Sequence, residues 1–155
     1  MEWLLHLLFS FTASFFFAVL FDAPKRLFFF AGVAGATGWT VSRILLDLFS
    51  MHEIYATMFG TLVLGIVCHL MARLLKEPAT MFMVPGIIPF VPGGLAYEAT
   101  SLLVQFEYNQ SLNTMLEVIL IAGAVAVGLL FSDQLSKMFI HKKHNYSDLR
   151  TRKMP

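Results

Sequence analysis

The chain has 155 residues, of which 57% are hydrophobic and only 14% are charged, and its formal net charge is +1. Soluble domains are usually about 45–50% apolar and about a quarter charged, so this chain has too few polar residues to cover a surface in water. Its single cysteine excludes an internal disulfide and a two-cysteine metal site. The composition therefore predicts an integral membrane protein.

Five apolar runs are long enough to cross a hydrocarbon core of about 30 Å as helices. We predict transmembrane spans at 3–21, 27–49, 55–75, 79–106 and 114–134. The predicted fold class is an all-α membrane bundle of about five helices, forming one domain over 1–140. A basic tail follows at 141–155.

Positive charge follows the first, third and fifth runs. Lys25 and Arg26 come after the first run, Arg73 and Lys76 after the third, and most of the remaining basic residues lie in the tail. Only Arg43 of the eleven Lys and Arg residues departs from this alternation. Cytoplasmic flanks of membrane spans are enriched in Lys and Arg. We therefore predict a multi-pass protein of the plasma membrane with its N-terminus outside, its C-terminus in the cytoplasm, and its tail drawn to anionic lipids.

The fourth run is interrupted by PGIIPFVPGG at 85–94. Each proline removes an amide donor and clashes with the carbonyl four residues earlier, so no continuous helix survives. Backbone groups freed at membrane depth are costly unless protein or a wet cavity satisfies them, and broken transporter helices use them to bind substrates. A kink, or a loop at the inner surface, is the simpler alternative. The predicted substrate-binding residues of the break are Pro85, Gly86, Pro89, Pro92, Gly93 and Gly94.

A rival topology has four spans and a re-entrant loop at 79–94. In that arrangement everything after the loop changes sides, and the basic tail lies outside the cell. The charge distribution argues against this arrangement.

Three further residues complete the predicted site. Tyr97 and Glu98 follow the break directly, and an ionisable group inside a span indicates a function by default. Glu98 could carry a coupling proton, or it could make a structural hydrogen bond across the bundle. Arg43 shares a helix face with Asp47 four residues later and can pair with it. Alternatively, its guanidinium holds a substrate carboxylate.

Other polar residues receive structural interpretations. Glu117 and Asp133 lie near the ends of the fifth span, where carboxylates reach interfacial water. We expect His69 to be packed or hydrogen-bonded, and Cys68 to be a small buried hydrophobe. The small residues of the second and fifth spans are expected to meet other helices. They are Gly32, Gly35, Ala36 and Gly38, then Gly123, Ala124, Ala126 and Gly128.

The sequence carries no pattern typical of a hydrolase or a transferase. The chain is therefore not predicted to be an enzyme, and we expect neither a cofactor nor a metal site. The basic tail comes without an aromatic platform or a nucleic-acid-binding motif, so a nucleic-acid partner is not expected either.

Four segments resemble one family. They are FDAPKR, GATGWTVSRILL, TMFGTLVLGIVCHLMARLLKEPA and VPGIIPFVPGGLAYE, within about residues 15–135, and together they are similar to the threonine/serine exporters. The resemblance implies a transporter with about ten membrane-crossing helices, in one chain or two. This sequence is similar to the shorter C-terminal half, so a larger membrane subunit is the implied partner. The implied activity is proton-driven export of threonine and serine, or of a dicarboxylate such as succinate.

Two hypotheses follow. In the first, the chain is a transport subunit whose break, with Glu98 and Arg43, lines the path of a small carboxylate. In the second, it is a non-transporting membrane scaffold that organises a partner complex. A membrane-embedded enzyme is a distant third, because no nucleophile and base are suitably spaced.

Overall fold

The structure is a computed structural model that describes the secondary structure of residues 2–151 and the side chains of residues 3–138. The predicted basic tail, 141–155, lies outside the described side chains. The described chain is helical and contains no strand between residues 2 and 151, which confirms the all-α prediction. The helices are α1 (Glu2–Leu20), α2 (Phe28–Phe49), α3 (Glu53–Leu75), α4 (Thr80–Gly86), α5 (Gly93–Val104) and α6 (Tyr108–Thr151).

Four helices, α1, α2, α3 and α6, are long and apolar enough to cross a membrane, and α4 with α5 forms a bent fifth candidate. Their outer surfaces expose large side chains such as Leu4, Phe16, Leu74 and Leu130. Such exposure is unfavourable in water and costs nothing against lipid tails. The chain is a multi-pass membrane protein.

The direction of the helices fixes the topology. On α2 and α3, Gly38 approaches Leu64 while Ser42 approaches Gly60, so these two helices run antiparallel. Between α3 and α6 the contacts advance along both helices together. Thr61 lies beside Gly128, and further along both helices Arg73 contacts Ser136. Helices α3 and α6 therefore run parallel.

Parallel packing of α3 and α6 requires the chain between them to return to the end of the bundle where α3 began. The segment 76–107 must therefore cross the bundle. Its bend of 48° between 80–90 and 93–104 is far short of the reversal that a re-entrant loop needs. The helix packing favours a broken fifth crossing over the rival loop at 79–94.

Basic residues collect at one end of the bundle, which we call the basic end. Arg26 in the first link forms an ion pair with Glu77 in the third, and the same end holds Arg73 and Lys137, near the exit of α6. Arg43 lies toward the opposite end. The orientation of the basic end toward the cytoplasm remains a prediction from the positive-inside rule.

Small residues let the helices approach closely. A Cβ added to Gly35 of α2 would lie 1.9 Å from Ser14 Oγ of α1 and 3.4 Å from the Cα of Gly86 in α4. Gly128 of α6 approaches α3, whereas Gly123 has no such neighbour within 4 Å. The predicted helix contacts are confirmed for α2 and for Gly128, and they lie within this chain.

The helix boundaries differ modestly from the predicted spans, except that α6 runs to Thr151, well past the predicted end at 134. A 3₁₀ turn, Lys25–Leu27, precedes α2. Helix α6 begins at Tyr108, before the predicted start at 114, because Ser111 Oγ donates a hydrogen bond to Ala99 O at 2.7 Å and closes a tight hairpin with α5. Cys68 is fully buried in the core, as predicted.

Candidate functional site: the broken helix and its cavity

The predicted break is confirmed between α4 and α5. Helix α4 ends at Gly86, a 3₁₀ turn covers Ile88–Phe90, and α5 begins at Gly93. Within the turn, Phe90 N–H donates to Ile87 O at 2.8 Å. Prolines lack the amides that would continue α-helical hydrogen bonds, so tighter turns replace them here.

The first half of the break is buried in the bundle. Pro85 is fully buried, and a Cβ on Gly86 would lie 2.8 Å from Leu64 of α3. Phe90 packs edge-on against Trp39 of α2, with ring centroids 5.5 Å apart. These contacts hold the break against α2 and α3 in a fixed position.

The second half of the break lies on the outer surface of this chain. Gly93 and Gly94 have no heavy atom within 4 Å of an added Cβ, and Tyr97 is 77% exposed. Glu98 is also exposed, and it forms no salt bridge within residues 3–138. The structure therefore divides the predicted site between a buried group and an outward-facing group.

A cavity of about 230 Å³ lies beside the buried half of the break. Pro89 and Trp39 contribute to its wall, and the polar residues of α1 that line it are His6 and Ser10. Ser10 Oγ donates to His6 O at 2.8 Å. Phe9 and Ala13 complete the lining.

Sequence reasoning missed the polar side of α1. His6, Ser10 and Ser14 recur every four residues and therefore share one helix face. That spacing within an apolar span was the available signal. The row extends from the cavity at Ser10 to the Gly35 contact at Ser14.

Two buried side-chain polar atoms in the described chain lack a hydrogen-bond partner. Ser14 Oγ is one, on a residue with no exposed surface, beside the point where Gly35 meets Gly86. Arg43 Nε is the other, one helical turn from Trp39. Unpaired polar atoms are unusual in folded proteins and require a cause. Ser14 Oγ is enclosed by its neighbours, whereas a polar ligand beside the partly exposed Arg43 would supply a partner for Nε.

The predicted pairing of Arg43 with Asp47 is confirmed. Arg43 Nη2 lies 3.7 Å from Asp47 Oδ1, and the Arg43 side chain is 31% exposed. This is a long, partly exposed contact of the kind that contributes about 0–1 kcal/mol. It leaves the rest of the guanidinium fork available to a carboxylate.

His69 is hydrogen-bonded, as predicted, through Nδ1 to Gly65 O at 2.7 Å. Asp133 is more than a boundary residue, because it contacts both His69 and Lys137. Among the described residues, no group of three or more His, Cys, Asp or Glu side chains is arranged to hold a metal ion.

The profile of the family described as "Threonine/Serine exporter, ThrE" matches residues 6–135. That range covers most of α1, all of α2 to α5, and α6 as far as residue 135. The chain belongs to the threonine/serine exporter family. Its description is that of a transporter family, which agrees with the membrane fold.

One relative of this exporter-family chain is an uncharacterized protein of Haemophilus influenzae, which is 31% identical over 122 residues. The match covers 73% of this chain and 40% of that protein. The chain therefore spans less than half the length of that curated relative. No solved structure matches this chain significantly.

Proposed function

We propose that this chain is a subunit of a membrane exporter of small carboxylates. Threonine and serine are the first candidates, and a dicarboxylate such as succinate is the second. The subunit works with a larger partner subunit, and export is coupled to protons. Family membership supports the export of threonine and serine. The geometry of the break supports the carboxylate site and the partner subunit.

The observation that carries the proposal is a cavity beside a broken helix, together with the unpaired Nε of Arg43, one helical turn along α2 from Trp39 in the cavity wall. Keeping polar groups unpaired inside a membrane protein is costly, and a transporter offsets this cost when substrate binds. The Arg43 guanidinium would hold the carboxylate. The hydroxyl group of Ser10, which lines the cavity, is suited to the polar remainder of the substrate.

The partner is supported by the outward-facing half of the break. Gly93, Gly94, Tyr97 and Glu98 all lie on the surface of this chain, and α5 packs mainly on α6. A second subunit covering this face would bring Glu98 into a path between the two halves. There its carboxylate would line the path of the substrate. The curated relative is more than twice as long as the segment that matches this chain, which is consistent with a second subunit that supplies the rest of the transporter.

The test is an export assay in cells that lack endogenous efflux of the substrate. The chain and a candidate larger membrane subunit would be expressed singly and together, with membrane insertion of each checked on blots. We expect efflux of radiolabelled threonine, serine or succinate when both are present, and background efflux with either alone. The scaffold hypothesis predicts full export by the partner alone, and that result would refute a transport role for this chain.

A further inference from the structure

A second polar cluster lies between α3 and α6, toward the basic end and away from the cavity. His69 of α3 places Nδ1 2.7 Å from Gly65 O and Nε2 3.4 Å from Asp133 Oδ1 of α6. The other carboxylate oxygen, Asp133 Oδ2, lies 2.6 Å from Lys137 Nζ. The His69 and Asp133 side chains are 17% and 35% exposed.

A hydrogen bond between His69 Nε2 and Asp133 Oδ1 requires one proton more than a neutral imidazole and an ionised carboxylate carry. A carbonyl oxygen only accepts hydrogen bonds, so the contact with Gly65 places a hydrogen on His69 Nδ1. In a neutral imidazole, Nε2 is then an acceptor, and an ionised Asp133 is also only an acceptor. Two lone pairs would face each other, so an attractive contact needs a proton on Nε2 or on Oδ1.

We propose that His69 and Asp133 form a proton-binding site that takes up and releases one proton between Nε2 and Oδ1. When the site is loaded, an imidazolium faces a carboxylate. When the site is empty, a neutral imidazole faces the carboxylate, and one proton has passed to water. Lys137 remains as the partner of Asp133 in both states.

Release of the proton removes an attraction between α3 and α6 where these helices are otherwise tightly packed. A Cβ on Gly65 would lie 1.9 Å from Ser132 Oγ, so small changes in this contact are transmitted between the helices. The use of the site in transport rests on the proposed export function. The binding of the proton does not depend on it.

The surrounding charges leave His69 and Asp133 as the relevant titrating pair. From α6 the facing cation is Lys137, and on α3 itself Arg73 donates to Ser136 O at 3.1 Å. Helix α4, Thr80–Gly86, carries no ionisable side chain. The charged residues of α2, Arg43 and Asp47, lie toward the opposite end of the bundle. At the basic end, past the end of α3, Arg26 and Glu77 form an ion pair with each other.

Proton binding is measured directly on the full chain in lipid nanodiscs. The ¹⁵N signals of His69, assigned with His69→Gln, are followed over about pH 5–8, where histidine changes charge. We expect wild-type His69 Nε2 to lose a proton within this range. In Asp133→Asn, which removes the facing negative charge, protonation of Nε2 should become less favourable than in the wild type.

Glu117→Gln on the same helix and His52→Gln at the start of α3 are matched controls that should leave the His69 signals unchanged. A wild-type His69 that stays neutral beside an ionised Asp133 would overturn the proposal. A His69 titration unaffected by Asp133→Asn would overturn it as well.

The transport readout uses the chain together with its partner in proteoliposomes. Asp133→Asn and His69→Gln should lose the stimulation of export by a pH gradient while retaining substrate exchange without a gradient. A merely structural pair would lower both, and unchanged stimulation would contradict the coupling role. If the wild-type chain and its partner subunit move no substrate at all, the proposed function fails. The nanodisc titration still decides whether the proton site exists.

Discussion

Alanine at Gly128 should destabilise the folded chain by about 1–3 kcal/mol, the usual cost of overpacking a tight interface. The added Cβ would lie 2.2 Å from Thr61 Oγ1 and 2.4 Å from the backbone oxygen of Met58. A backbone atom cannot rotate away as a side chain can, so α3 and α6 must separate. The measurement is the free energy of unfolding of the purified chain in detergent micelles.

Gly123→Ala is the matched control on the same helix. No heavy atom lies within 4 Å of an added Cβ at Gly123, and alanine favours helix over glycine by up to about 1 kcal/mol. We therefore expect Gly123→Ala to leave stability unchanged or to raise it slightly. Equal losses in the two variants would show that glycine flexibility, and not the α3–α6 contact, is responsible.

Arg43→Gln should weaken substrate binding by the largest factor of any single change at the proposed site. A hydrogen bond to a charged group contributes about 1.5–3 kcal/mol, which corresponds to a loss in affinity of about 10- to 100-fold. Arg43→Lys should recover only part of this loss, because lysine keeps the charge but not the planar fork. The measurement is the apparent affinity for threonine, serine and succinate in the two-subunit export assay.

Asp47→Asn separates a substrate role of Arg43 from a structural one. If Arg43 serves only to pair with Asp47, the two variants should have the same small effect, since the contact is long and partly exposed. If Arg43 binds substrate, Asp47→Asn should retain affinity or improve it by freeing the guanidinium. Matching losses in both variants would argue against the carboxylate site.

Much of the architecture could be predicted because its signals are local. Charge alternation indicated the number of crossings without any structural knowledge, and three prolines within 85–94 made a break unavoidable. The i, i+4 spacing of Arg43 and Asp47 correctly predicted their contact. Each of these inferences depends on residues close together in the chain.

The features that were missed depend on contacts between distant residues. His69 and Asp133 lie on different helices, and no sequence pattern indicates that α3 and α6 run parallel with these two side chains at the same level. The role of Trp39 depends on how the break packs against α2. Similarly, hydropathy placed Tyr97 and Glu98 within the fourth span, but only the packing of α5 on α6 shows that both side chains lie on the outer surface of this chain.

In the proposed mechanism, the cavity beside the break receives the substrate. The most direct measurement uses Ser10→Cys in a chain whose native thiol has been removed by Cys68→Ala, with a small membrane-impermeant thiol reagent and the partner subunit present. Because Ser10 lines the cavity, we expect threonine, serine or succinate to slow the labelling, in the order in which they are exported. Labelling that proceeds at the same rate with every exported carboxylate at saturating concentration would contradict the assignment of this cavity.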